Sequence, residues 1–140
     1  MKKTPLLSIT LVVLSILILS ACSGGTSASV VGEWTLVSYG DASSPTPAVP
    51  DVETSIHFDE KEQFDGNVGC NSFGSEYKVD GDQIVFGSII STMMFCDATS
   101  AQESVVLSIL SDQSVNYQID GERLTITSGD GSSVLVLAKK

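Results

Sequence analysis

The sequence predicts a mainly β domain of antiparallel strands carrying a single α-helix. Three observations predict it. Short runs of alternating apolar and polar residues recur along the chain, and two pairs of runs meet at Asp80-Gly81 and Asp120-Gly121, dipeptides suited to hairpin turns. Only the segment that opens at Ser100 repeats its apolar residues at helical spacing. With 140 residues, 42% of them hydrophobic, the chain suits one domain once its N-terminus is set aside.

That N-terminus reads as an address. Lys2 and Lys3 precede an apolar-rich run from Leu6 to Leu19, followed by small residues, which is the order of a secretory signal over residues 1–21. The run is shorter than the roughly 20 apolar residues a transmembrane helix wants, which disfavours an uncleaved anchor. Leu19-Ser20-Ala21-Cys22 resembles the lipobox of bacterial lipoproteins. The resemblance implies cleavage ahead of Cys22 and lipidation of its thiol by acyl chains such as palmitate; the alternative is a free cysteine beside an ordinary cleavage site. Two or more acyl chains hold a protein stably on a bilayer. The expected location is therefore the cell envelope, on the outer membrane or the extracytoplasmic face of the cell membrane, with Cys22 to Ser29 as a flexible tether and residues 30–140 as the domain.

Charge narrows the partners. The full chain has 7 Lys and Arg against 17 Asp and Glu, and cleavage would remove two of the lysines. So acidic a surface repels phosphate backbones, so no nucleic acid is expected as a ligand. Basic proteins, cations and neutral ligands remain compatible with it.

In chain order, Val30 to Tyr39 alternates and predicts a first strand with Trp34 and Leu36 inward. Pro45, Pro47 and Pro50 lack amide hydrogens, so Asp41 to Asp51 is expected to be a surface loop. Thr54 to Phe58 and Gln63 to Cys70 read as a half-buried hairpin, with Phe64, Gly66, Val68 and Cys70 on one face. Gly66 and Gly69 fit a bulge or a close backbone approach better than a phosphate cradle, because no helix follows them. Tyr77 to Ile84 and Tyr117 to Leu124 echo each other as two hairpins, each predicted to turn through a type I′ Asp-Gly. Asp80 and Asp82 lack the further spaced oxygen ligands of an EF-type calcium loop. Ser100-Ala101-Gln102-Glu103 fits a capping box, and Val106, Ile109 and Leu110 supply the helix's core stripe. Val134 to Ala138 is nearly all apolar, the mark of a central or barrel-closing strand.

Chemistry is sparse. If Cys22 is lipidated, Cys70 and Cys96 remain, and an exported chain would pair them in a disulfide; two unpaired core cysteines are the alternative. Neither thiol sits in a Cys-x-x-Cys motif. His57, the one histidine, lies between Ile56 and Phe58 and should face away from them. A zinc site from His57, Cys70 and Cys96 would lack recognisable spacing. With one histidine and no Gly-x-Ser-x-Gly elbow, no nucleophilic triad can be drawn, so no enzyme, metal or cofactor is expected. Asn71 is read as a turn cap that bonds backbone groups and tolerates positive φ, with ligand contact as the alternative.

Several pieces in order carry a resemblance: Gly32-Glu33-Trp34, Ile56-His57-Phe58-Asp59, Gly69-Cys70-Asn71 with Phe73 and Tyr77, Phe86-Gly87, Ser91-Thr92 leading to Met94-Phe95-Cys96, and Gly121 to Ile126. Together they resemble the META domain family, whose usual Met-Ala-Cys stands here as Met94-Phe95-Cys96. The resemblance implies a compact antiparallel β-barrel-like fold with one helix, and a structural role for Trp34, Gly69, Asn71, Phe73 and Met94. It also implies association with envelope stress, including heat shock, and does not imply an enzyme. Two functions remain open. One is a non-catalytic envelope accessory that engages another envelope protein through an acidic face or the Pro-rich loop. The other is a carrier of a small apolar ligand in the barrel interior.

Overall fold

The computed structural model describes residues 28–112 and 114–140. The expected signal segment, Cys22 and most of the tether lie outside the described residues. Among the described residues, ten strands and one helix follow in chain order: β1 (Gly32–Asp41), β2 (Thr46–Pro47), β3 (Ser55–Phe58), β4 (Gln63–Asn67), β5 (Ser72–Asp80), β6 (Gln83–Phe86), β7 (Ile90–Ser91), α1 (Ser100–Leu110), β8 (Ser114–Asp120), β9 (Arg123–Thr127) and β10 (Ser133–Lys139). Eight of the strands form a closed antiparallel barrel in the order β1-β3-β4-β5-β6-β8-β9-β10, and β10 returns to pair with β1. The nearly all-apolar last strand is thus the closing stave. The short strands β2 and β7 sit outside the ring, on β1 and β5.

Each stave alternates, and its inward residues meet at the axis. Trp34 and Leu36, Ile56 and Phe58, Phe73 and Tyr77, Ile84 and Phe86, Leu124 and Ile126, and Leu135 and Leu137 are all buried. Phe58 lies at the centre of an aromatic group, its ring centroid 4.9 Å from Phe64, 5.0 Å from Tyr77 and 6.3 Å from Phe86. A barrel of eight strands is just wide enough for its side chains to fill, and here aromatic rings fill it. Truncating such a ring would cost about 3–5 kcal/mol through lost burial and a residual cavity. Trp34 donates its indole N–H to the Val30 carbonyl at 2.8 Å, which satisfies the one polar group of a ring otherwise sealed in the core.

Local geometry departs from expectation in three places. Within the Pro-rich loop, Thr46 and Pro47 pair with Tyr39 and Ser38, a placement open to proline because β2 is an outer edge. The hairpin turns are shifted by one residue. Asp80 pairs with Gln83 and Asp120 with Arg123, leaving Gly81-Asp82 and Gly121-Glu122 as the two-residue loops. Only the glycines have positive φ, at 62° and 59°, which matches a type II′ turn with glycine first and not the predicted type I′. Finally, α1 begins without the capping box. Thr99, one residue earlier than expected, is the N-cap and makes no side-chain capping bond, and the Glu103 carboxylate bonds another partner.

The helix lies across one end of the barrel, where β4 ends and β5 and β8 begin, and sends Val106, Ile109 and Leu110 into the core. Gln102, fully buried, ties that end together. Its side chain donates to the Val68 carbonyl at 2.7 Å and accepts from the Val49 amide at 2.8 Å. The opposite end is where the chain enters β1, with Gly32 paired to Phe58 ahead of the β3–β4 turn.

Candidate functional site

The helix end of the barrel gathers most of the residues singled out from sequence. Gly69 has φ of 126°, and a Cβ there would stand 2.7 Å from Thr99 Cγ2 and 3.0 Å from Val52 Cγ1. The position therefore needs glycine twice over, for its backbone angle and for the approach of the helix N-terminus. Cys70 follows and is joined to Cys96 in a disulfide, Cα to Cα 6.0 Å, closing a loop of 26 residues in sequence separation. The bridge removes both sulfurs from any zinc site, and His57 lies on the barrel exterior beside Asp65, Nδ1 to Oδ1 3.2 Å. Among the described residues, no three of His, Cys, Asp and Glu converge on a point that could hold a metal.

Asn71 does not cap a turn. Its side chain is buried and crosses to the segment that precedes the helix: Oδ1 accepts from the Met94 amide and the Thr92 hydroxyl, both at 2.7 Å, and Nδ2 donates to the Met94 carbonyl at 2.9 Å. The same amide donates to Glu103 Oε1, and the Asn71 backbone N–H donates to Glu103 Oε2 at 2.8 Å. Both oxygens of a buried carboxylate are thereby satisfied without a cation. Asn71 is not among the residues with positive φ; Gly69 takes that conformation instead.

Disulfide and asparagine together pin the segment from Thr92 to Cys96 onto the end of β5. What they present outward is apolar. Ile90 is 79% exposed, Met93 98%, Met94 61% and Phe95 82%. Met94 is thus held by its backbone while its side chain faces solvent, and the bulk of Phe95 points away from the disulfide. Phe73 and Trp34, by contrast, are buried core residues. The exposed ridge was not foreseen, since a Met-Met-Phe run reads as core material; the signal that could have flagged it is the absence of alternation from Ile89 to Cys96.

A surface depression of about 500 Å³, lined by Val85 to Ile89 and Ser111, is open to solvent, and its lining includes no cluster of titratable groups.

Comparison with known proteins places this architecture. No curated protein matches the chain. A protein from Burkholderia xenovorans solved by NMR superposes with a TM-score of 0.63 at 19% identity, covering 78% of this chain and 81% of its own. A DUF4847 family protein from Bacteroides vulgatus ATCC 8482 superposes with a TM-score of 0.58 at 14% identity, over 78% of this chain and 92% of its own. At such identities the likeness is one of fold. The family model described as META domain matches residues 28–140, and the chain belongs to the META domain family.

Proposed function

We propose that this protein is a non-catalytic, lipid-anchored component of the cell envelope that acts by protein–protein contact, as an accessory in envelope stress or assembly. The observation that carries the reading is the apolar ridge Met93–Phe95, held rigidly in water by the Cys70–Cys96 bridge and Asn71. A large apolar side chain fixed in the exposed state is typical of surfaces kept for a partner. The lipobox-like Cys22 supplies the tether to a membrane. The rival reading, a carrier holding an apolar molecule in the barrel, is weakened by the aromatic rings that already fill that interior.

The test has two parts. Palmitate incorporation and membrane fractionation should be lost in Cys22→Ser, and crosslinking of the wild type in its own membrane should capture one envelope protein at stoichiometric yield. A chain that stays soluble and shows a bound apolar mass in native mass spectrometry would replace this reading with the carrier.

A further inference from the structure

The apolar ridge and the charge of the barrel's two ends specify what kind of protein would fit. Among the described residues the five cations are Lys61, Lys78, Arg123, Lys139 and Lys140. Lys61 lies in the β3–β4 turn, Arg123 opens β9, and Lys139 and Lys140 close the chain, all at the end where β1 enters; Lys78 is on β5, two residues from the hairpin turn at that end. Lys140 is already engaged there, 2.9 Å from Glu33 and 3.6 Å from Glu53. The segments that build the helix end, residues 41–52, 68–71, 87–112 and 128–132, contain no lysine or arginine. Their exposed charges are all acidic, Asp41, Asp51, Asp97, Asp112 and Asp130, whereas the opposite end mixes its cations with exposed acids such as Glu33, Glu60, Glu62 and Glu122.

We infer that this end docks into a protein partner whose surface offers an apolar groove rimmed by lysine and arginine, the ridge Ile90–Phe95 entering the groove and the acids of the same end, Asp97 next to the ridge in sequence, meeting its rim. The inference rests on the protein-contact reading above and names the face and the partner's chemistry. Three observations favour that occupant over others. The four exposed side chains make an apolar patch on the order of 500 Å², in the range of functional patches but short of the roughly 800 Å² per partner that a stable association needs, so a partner that meets it in a groove and on the flanking acids would bury enough. A second copy would set one acid-rimmed end against another, and like charges across an interface are costly. A bilayer with anionic headgroups would be repelled by the same acids.

The experiment uses the full lipidated chain in its native membrane with a photoreactive p-benzoylphenylalanine in place of Phe95, and a control with the same group in place of Val79 on the barrel wall. Expected is one adduct from position 95 and none from position 79, whose crosslinked partner peptide contains apolar residues flanked by lysine or arginine. Its yield should fall at least about ten-fold with Met93→Ser, because a few central apolar anchors dominate such contacts. It should also fall with Asp97→Lys and with rising salt. Both substitutions are at exposed positions, and unchanged thermal melting of the variants separates lost docking from lost fold. An adduct with lipid, one with a second copy of this chain, or one with a neutral or acidic partner surface would overturn the inference. A discrete protein adduct from position 79 alone would overturn it while sparing the protein-contact reading, whereas no adduct anywhere on the domain would overturn both.

Discussion

Asn71 and Glu103, 32 residues apart, meet through two hydrogen bonds that use both carboxylate oxygens, one from the backbone N–H at 2.8 Å and one from the side-chain amide. Asn71→Ala removes one of these donors and both anchors on Met94. A buried acceptor left unpaired costs about 1–3 kcal/mol, more when charged, so urea denaturation should show a loss of about 2–4 kcal/mol. Asn71→Asp should be at least as damaging, because it sets a second carboxyl group against Glu103.

Breaking the bridge should act differently, through the unfolded chain. For a separation of 26 residues the loop-entropy model gives about 3.5 kcal/mol. Cys70→Ser with Cys96→Ser, or reduction of the wild type, should lower stability by about that amount. Alkylation should label neither cysteine under native, non-reducing conditions; labelling of both would contradict the pairing.

Glycines at two turns should answer unequally to substitution. Gly69→Ala places a Cβ 2.7 Å from Thr99 at φ of 126°, where backbone and side chain must both give way, and a loss of about 2 kcal/mol or more is expected by thermal or chemical melting. Gly121→Asn meets open space, so only the backbone is strained there, at φ of 59° in the glycine position of a type II′ turn, and its loss should be smaller, about 1 kcal/mol.

Thr99 offers a gain. Its hydroxyl is buried with no hydrogen-bond partner among the described residues and does not cap the helix it begins. Thr99→Val keeps the shape that packs on Gly69 and removes the unmet group, so it should leave stability unchanged or raise it by about 1 kcal/mol. A clear loss on thermal melting would show that the hydroxyl is solvated after all.

Acid should loosen the β9–β10 turn first at Asp130. Its Oδ1 accepts from the Ser128 hydroxyl at 2.7 Å, the Ser132 amide at 2.9 Å and the Ser132 hydroxyl at 2.8 Å. These bonds, that of Ser128 foremost, lower its pKa from 3.8 to about 2. A carboxyl group with a depressed folded pKa stabilises fully above its unfolded value and loses that contribution as pH falls through the folded one. The wild type should therefore exceed Asp130→Asn in stability above about pH 4 and converge with it by about pH 2. A difference that persists unchanged at pH 2 would assign the effect to something other than this titration.

Legibility in the sequence followed physical locality. Alternation along β1 put Trp34 inward, and it is buried; the echoing runs at Tyr77 and Tyr117 gave two hairpins, each pairing a β-strand to its neighbour. Those signals lie within a few residues of what they specify. The turn type was missed by one residue because Asp-Gly and Gly-Asp overlap in the same four letters, and only register distinguishes them. Glu103 was misassigned for a related reason: a capping box is local, whereas its real partner, Asn71, is brought in by the closure of the barrel. Exposure of Met93 and Phe95 was illegible because apolar residues are read as inward unless something holds them out, and the holding groups, Cys70 and Asn71, come from a different strand connection.

The seam between β1 and β10 carries a consequence for how the molecule comes into being. Trp34 pairs with Lys139, so the first stave finds its second neighbour only when the last residues of the chain are present. Contacts that distant in sequence are slow to form. Until they do, β1 and β9 each expose an unpaired edge open to joining another chain. A chain that crosses a membrane N-terminus first would wait in that open-ended form until its final residues emerge. Loss of everything from Ser133 onward by premature termination or proteolysis would turn a closed ring into an adhesive sheet, so its cost would be measured in aggregation as much as in stability.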